Sequence, residues 1–471
     1  MNGYTNIEGH TVIYSYEDGA LTFLLDTIHN IKQSTINSEG MALPTDGPYI
    51  IGYDFNTHNY YVFFVSYIPD LHLEETPLLA TTVTISVYGY IKYDASYKSS
   101  AISGMSFYGQ EIDKFYSLKK GYKIELPLDL RSGIVRSIPY EETTDSFEFS
   151  MDGEKVTCTL GVLGKANLCD TNPLSFNSRV LLQFEETNYS EKIINLFEAV
   201  KTFFSFITYR KNIDISNVRL YGETEYSSFG EIGTLYYQVG KCDIEDKEEI
   251  GKTIPYEFIK DHISDIFELI VNDKLYVRHI PESSYSRRQI TAARFVLTTA
   301  AFEWTVRSAY IIPKSTKQEQ VKKDILEAIE EIPTSKGYNK DLKDKFKFFQ
   351  KIISGMDTNL SRKIAYALND LDSILEPFIK KLYQSNKKEA DSYSHMGDRL
   401  QKQRNNYAHG NIDKELNPDV ILDILVLEWV NYSMVFKMIG YTDMQIAKLI
   451  NGIFHLNCYI PDDEEWIHYG D

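Results

Sequence analysis

The chain has 471 residues, of which 43% are hydrophobic and 25% are charged, and it carries a net charge of −18. These fractions exclude a disordered or fibrous chain, and the length predicts two to four domains at roughly 100–200 residues each. The N-terminus has neither the basic nor the apolar region of a signal peptide, and no run of 18 apolar residues occurs. We therefore expect a cytoplasmic protein without a membrane span.

The first part of the chain, residues 1–240, is predicted to form a β-rich domain. Its strand candidates are rich in β-branched and aromatic residues and alternate in part: TVIYSY, NYYVFFVSYI, TTVTISVYGYIKY, SFEFSM and KVTCTLGVL. A helix is predicted at Glu191–Tyr209, and two short strands follow at ISNVRLYG and TLYYQVG. These features favour a sandwich-like domain.

The second part of the chain is predicted to be helical. Residues 241–284 form an acidic, polar linker with a helix, residues 285–460 an all-α bundle, and residues 461–471 an acidic tail. The expected helices are Ser286–Ala309, Gln318–Glu331, Lys340–Ile353, Arg362–Tyr383, Lys387–His409, Pro418–Met438 and Asp443–Ile453. Glycine and proline residues separate them. The fold class is therefore α+β multidomain.

The charge differs between the two parts. Residues 1–280 contain 23 Lys and Arg against 40 Asp and Glu, whereas residues 281–460 contain 26 against 22. The first part would repel a polyanion at long range, and only the second has the sign that suits a phosphate backbone. The simplest interpretation of most of these charges is solvated surface.

Several common catalytic and binding motifs are missing from the sequence. It contains no phosphate-binding glycine loop, no HExxH and no GxSxG, and its four cysteines are widely scattered. We therefore expect no cofactor, no metal site and no disulfide framework. A glycosidase site among the many carboxylates of the β-rich part stays open as an alternative.

One group of residues has a spacing that suits RNA cleavage. Residues 402–410 read KQRNNYAHG at the end of a predicted helix. On that helix Asn405 and His409 share a face, whereas Arg404 is rotated by about 140° from His409 and reaches round with its long side chain. A histidine can move the proton, a guanidinium can hold the phosphate oxygens, and an amide can orient one of them. The alternative is a capping histidine beside a surface arginine.

The RNNYAH segment, with helices before it and a long apolar helix after it, resembles the R-polar-x-x-x-H motif of HEPN domains. The closest resemblance is to the HEPN domain of ApeA-like anti-phage proteins, in which a β-rich domain also precedes the bundle. The segment FFSFITYRKNIDISNVRLYG is similar to the end of that β-rich domain. The resemblance implies a metal-independent endoribonuclease of abortive infection, with Arg404, Asn405 and His409 as its catalytic residues.

The same resemblance bears on neighbouring residues and on partners. Glu303 lies where such domains often place an acidic residue, although packing or surface exposure also explains it, and Lys402 and Gln403 would contact RNA or solvent. HEPN nucleases build one site from two facing motifs, which implies a homodimer or higher oligomer. The apolar helix Val420–Met438 would frame that interface or form core.

The expected partners are RNA, with transfer RNA as one candidate, and a phage protein that the β-rich domain senses as the trigger. Two other functions stay open. One is a catalytically silent HEPN scaffold or binding protein, and the other is a carbohydrate-binding β-sandwich protein with a helical tail.

Overall fold

The computed structural model describes residues 1–7, 10–25, 49–65, 81–93, 101–125, 134–166, 174–188, 190–215, 218–237, 245–312, 316–335, 344–350, 359–408 and 416–460. The chain divides into two compact units, Met1–Arg288 and Gln289–Asp471. The first unit is built on β-strands and the second on helices. The predicted order, a β-rich region followed by a helical region, is thereby confirmed. The predicted acidic tail, 461–471, lies outside the described residues.

The described residues of the first unit contain fourteen strands. They are β1 (Asn2–Ile7), β2 (His10–Glu17), β3 (Ala20–Leu25), β4 (Tyr49–Asp54), β5 (Tyr60–Val65), β6 (Thr81–Tyr93), β7 (Ile102–Phe107), β8 (Tyr122–Glu125), β9 (Ile134–Ser137), β10 (Asp145–Met151), β11 (Glu154–Ala166), β12 (Leu174–Thr187), β13 (Val218–Thr224) and β14 (Ser227–Tyr237). Each segment that the sequence pattern predicts as a strand overlaps one of them, and the predicted residues 66–68, 216–217 and 238–240 lie outside the described residues.

Twelve of these strands form one antiparallel sheet in the order β10-β11-β12-β7-β13-β14-β6-β3-β2-β1-β4-β5, and β8 pairs with β9 separately. Because β5 also pairs with β6, the six strands from β6 to β5 close into a ring. Apolar residues such as Tyr14, Leu21 and Phe63 form a buried cluster on those strands. The long β6 pairs with β3 along its first half and with β14 along its second half. The strands expected in two facing layers are therefore hydrogen-bonded into one continuous sheet.

The described residues of the first unit also contain five α-helices. They are α1 (Gln110–Phe115), α2 (Ser190–Thr208), α3 (Lys247–Ile250), α4 (Ile263–Val271) and α5 (Ser284–Arg287). Of these, α2 and α4 pack on the sheet. The Phe197 ring of α2 lies 6.3 Å from that of Phe107 on β7, and the Phe267 ring of α4 stacks 4.9 Å from that of Phe149 on β10. The segment predicted as a linker therefore packs within the first unit, because its helix α4 buries an apolar face on the sheet.

A buried polar network attaches this segment. The Arg210 guanidinium donates to the Glu111 carboxylate over 2.7 Å, and both side chains are almost fully buried. Arg210 also donates to the backbone carbonyl of Asn212, and the Asn212 amide donates to Glu245. Glu245 in turn accepts from the backbone and the hydroxyl of Ser284. The network lowers the pKa of Glu245, because the hydrogen bonds from Ser284 and Asn212 outweigh the effect of burial.

The second unit consists of helices. They are α6 (Ala292–Ala309), α7 (Thr316–Ser335), α8 (344–350), α9 (Leu360–Asp370), α10 (Asp372–Ser385), α11 (Met396–Ala408), α12 (Pro418–Met438) and α13 (Asp443–Phe454). The first begins later than predicted, because the Thr291 hydroxyl caps it by accepting from the Arg294 backbone. The helix predicted over 362–383 is two helices separated at the buried Leu371, and a 3₁₀ turn, Ala390–His395, precedes α11.

Helix α12 is the core of the helical unit, since every residue from Val426 to Phe436 is buried. Two of its carboxylates are fully buried and paired. Glu428 forms two 2.8 Å hydrogen bonds with the Arg294 guanidinium of α6. Asp423 accepts from Arg399 of α11 at 2.6 and 2.8 Å and from the Tyr383 hydroxyl. These pairs fix α6 and α11 against α12.

We expect Glu428→Gln to lower the free energy of unfolding of the helical unit by about 3–5 kcal/mol, because it leaves the buried Arg294 without a counter-charge. The three tryptophans are at positions 304, 429 and 466, so selectively excited tryptophan fluorescence reports this unit during urea unfolding. The matched control is Glu327→Gln, which removes an exposed pair with Lys323 and should cost less than about 0.5 kcal/mol. Equal losses in the two variants would contradict the role given to the buried pair.

Candidate functional site

The structure places the predicted RNNYAH segment at the end of α11. Arg404 and Asn405 lie in the last two turns of this helix, which is described as far as Ala408. His409 lies outside the described residues. The ring of Tyr407 packs edge-on against Phe295 of α6 at 5.3 Å, which fixes the end of α11 beside α6.

Arg404 is held by a carboxylate from another helix. Its Nη2 donates to Oε2 of Glu303 on α6 over 2.7 Å. The Glu303 side chain is 15% exposed and that of Arg404 is 43% exposed. The guanidinium is thus anchored on its inner side and open to solvent on the other. Glu303, which the resemblance only suggested, is therefore in direct contact with Arg404 of the predicted motif.

A second cation shares the same carboxylate. Nζ of Lys363 on α9 lies 3.6 Å from Oε1 of Glu303, and the Lys363 side chain is only 10% exposed. The three side chains carry one net positive charge, because one carboxylate faces two cations. Sequence reasoning missed Lys363, which lies 41 positions before Arg404 and shares no motif with it.

Contacts between α9 and α11 set this geometry. A side-chain carbon at Gly397 would lie only 2.9 Å from the carbonyl oxygen of Ser361, so glycine allows the two helices to approach closely. The Ser361 hydroxyl donates to Asp398, and the Gln401 side chain accepts from the backbone of Leu360. Lys363 is therefore presented on the same side of the bundle as Arg404.

The neighbouring polar residues differ in exposure. The Asn405 side chain is exposed, and its Oδ1 accepts from Nε2 of Gln401 over 2.9 Å, which leaves the Asn405 amide N–H groups unused by other described residues. Lys402 is exposed as well. Gln403 is buried, and its Nε2 has no hydrogen-bond partner among the described residues. Of the two residues predicted to contact RNA or solvent, only Lys402 has the exposure to do so.

In the described part of the chain, no three His, Cys, Asp or Glu side chains form a group that could hold a metal ion. Searched over the same residues, no helix has both the length and the apolar character needed to cross a membrane. Comparisons with protein-family models, with curated proteins and with solved structures give no significant match. The arrangement of Glu303, Lys363, Arg404 and Asn405 therefore has to be interpreted from its own geometry.

That geometry contains the groups from which an anion site can be built. A half-exposed guanidinium is held by a carboxylate, a second cation shares that carboxylate, and the exposed Asn405 follows the arginine on the same helix. Guanidinium groups bind phosphate oxygens through two parallel N–H groups, and this arrangement leaves such groups available.

We expect a double-mutant cycle of Glu303→Gln and Arg404→Gln to give a coupling free energy of about 0.5–1 kcal/mol in urea unfolding. The value is modest because Arg404 is nearly half exposed and solvent screens the pair. The same cycle on the exposed pair Lys323 and Glu327 should give less than about 0.3 kcal/mol. A coupling of zero for the first pair would show that Glu303 does not hold Arg404 in solution.

Proposed function

We propose that the protein is a metal-independent endoribonuclease of the HEPN class, similar to ApeA-like anti-phage proteins. The observation that carries the proposal is the anchoring of Arg404. A guanidinium at the end of the motif helix is held by Glu303, which Lys363 also neutralises, and its outer side is open to solvent. This is the environment that a phosphate-binding arginine needs.

In the proposed reaction, the 2′-oxygen of RNA attacks the adjacent phosphorus and the bond from phosphorus to the 5′-oxygen breaks. His409 moves the proton at the 2′-hydroxyl or at the leaving oxygen. Arg404 binds the non-bridging oxygens as their negative charge increases, and Lys363 adds to the positive potential. The amide N–H groups of Asn405 orient one of those oxygens. The products are a 2′,3′-cyclic phosphate and a 5′-hydroxyl.

The distribution of charge supports different functions for the two parts of the chain. The first 280 residues have 17 more acidic than basic side chains, whereas residues 281–460 have a small basic excess. An acidic β-rich unit suits a sensor or regulator better than an RNA platform. We propose that this cytoplasmic protein arrests growth during infection by cleaving RNA, with transfer RNA as a candidate substrate and a phage protein as the trigger.

The first test is cleavage of total RNA in EDTA by the purified protein, with end-group mapping of the products. We expect wild type to leave 2′,3′-cyclic phosphate ends, and His409→Ala and Arg404→Ala to be slower by about a hundredfold or more, because each removes a group that acts on the reacting phosphate.

Two matched variants control this experiment. His395→Ala removes an exposed histidine just before α11, and Arg307→Ala removes an exposed arginine one turn beyond Glu303, so both should cleave at the wild-type rate. Undiminished cleavage by His409→Ala would remove His409 from the mechanism. If wild type itself is silent, repeating the assay with extract from infected cells separates a nuclease that awaits its trigger from a binding protein.

A composite site requires two copies of the chain, so we also expect a homodimer or higher oligomer with two copies of the motif at its axis. Light scattering should give at least twice the chain mass of 54.4 kDa. The specific activity should fall when the protein is diluted below its dissociation constant. A monomer with undiminished specific activity would show that one motif suffices.

A further inference from the structure

Helix α7 lies outside the hydrophobic core of the helical unit. It spans Thr316–Ser335, which is about 30 Å at 1.5 Å per residue. None of the residues from 320 to 331 is buried. As far as the chain is described, the buried apolar side chains of this unit belong instead to α6, to α9 through α13 and to the turns between them. The core therefore does not account for the apolar residues of α7.

One side of α7 is apolar and exposed. Apolar residues recur at helical spacing at Val321, Ile325, Ala328 and Ile329. At 3.6 residues per turn these four positions lie within an arc of about 100°, the usual width of a face that packs on another surface. Val321 is 49% exposed and Ile325 is 43% exposed. The opposite side is charged, with an ion pair of 3.7 Å between Lys323 and Glu327.

An exposed apolar face weakens a helix that stands alone. Most of the stability of a protein helix comes from packing such a face, and the β-branched Val321, Ile325 and Ile329 have lower helix propensity than leucine. The charges of α7 add to the cost, because Glu330 and Glu331 lie near the C-terminal end, where the helix dipole disfavours carboxylates. A partner that covers the apolar face and brings positive charge to this end would stabilise α7.

We propose that this partner is α7 of a second copy of the chain, packed antiparallel to the first. Residues 320–325 include Lys322, Lys323 and Asp324, whereas residues 326–331 include three glutamates and no lysine or arginine. Antiparallel pairing places the lysines of one copy beside the glutamates of the other and opposes the two helix dipoles. Parallel pairing would instead bring the glutamates of both copies together. The same glutamates disfavour a nucleic acid or an anionic membrane as the partner.

The apolar face has the symmetry that such a pair requires. Val321 and Ile329 each lie four residues from Ile325, so a two-fold axis beside Ile325 places Val321 of one copy against the partner's Ile329. Both copies then contribute the same face to the contact. Helix α7 contains no residue of the candidate site, so the inference does not rest on the proposed nuclease function.

The first test is the self-association of the full-length protein, measured by analytical ultracentrifugation over a dilution series. We expect Val321→Glu and Ile325→Glu each to raise the dissociation constant about tenfold or more, because each places a carboxylate in the apolar contact. The matched control is Glu327→Gln on the opposite side of α7, which should associate like wild type. Unchanged tryptophan fluorescence would show that each variant is folded. The proposal is overturned if wild type is monomeric throughout, or if both glutamate variants associate as tightly as wild type.

The second test is disulfide crosslinking under mild oxidation, with wild type and its own four cysteines as the background. Ile325→Cys should give a crosslinked dimer, because its two copies meet at the axis. Val321→Cys alone should not, because its two copies are about 12 Å apart along the helices, too far for a disulfide. A mixture of Val321→Cys and Ile329→Cys should crosslink. Crosslinking of Val321→Cys as efficient as that of Ile325→Cys, or none of Ile325→Cys, would contradict the antiparallel pair. Neither test uses RNA cleavage, so their failure is distinct from failure of the nuclease.

Discussion

The helical unit depends on two carboxylates buried in its central helix. Asp423 and Glu428 of α12 are fully buried, and each is neutralised by the guanidinium of a neighbouring helix. A buried carboxylate that loses its partner strongly destabilises the fold. Sliding α6 or α11 along α12 would separate these ion pairs, so the pairs fix the positions of both helices. The same two helices carry Glu303 and Arg404. The site is therefore positioned by ion pairs that lie deeper in the bundle than the site itself.

A buried ion pair is also present in the first unit, where it helps to fix the course of the chain. The buried pair of Arg210 and Glu111 joins the end of α2 to α1, and hydrogen bonds from Asn212 through Glu245 extend it to Ser284. Apolar packing of α4 on β10 alone would not specify where the chain after β14 runs. The directional hydrogen bonds specify it, and they bring residues 245–288 into the β-rich unit.

Much of the secondary structure could be predicted because its signals are local. The alternation of β6 and the helical spacing of apolar residues in α2 are both present in the sequence. The closure of six strands into a ring could not be predicted, because it depends on the pairing of β5 with β6 and on the two partners that share one side of β6. Likewise, the N-cap residue Thr291 decides where α6 begins. The spacing of apolar residues carries no information about such a cap, so it predicts the start of the helix too early.

The residues of the candidate site also differ in whether the sequence could predict them. Arg404 and Asn405 could be predicted as site residues because they belong to one short sequence motif. Lys363 could not, because it meets Glu303 only through the close approach of α9 and α11 at Gly397. Glu303 lies 101 positions before Arg404, and only the family resemblance drew attention to it.

In the proposed function, Lys363 lets Arg404 be anchored by a carboxylate and keep the charge to attract a phosphate. A simple pair of Glu303 and Arg404 would be neutral, and a phosphate approaching it would meet a carboxylate as well as a guanidinium. The second cation lies on the other carboxylate oxygen and restores one net positive charge to the group. Because Lys363 is nearly buried, solvent screens its effect less than it would at the surface. Glu303 thus fixes the guanidinium in place, and the group of three side chains keeps the positive charge that the proposed phosphate binding requires.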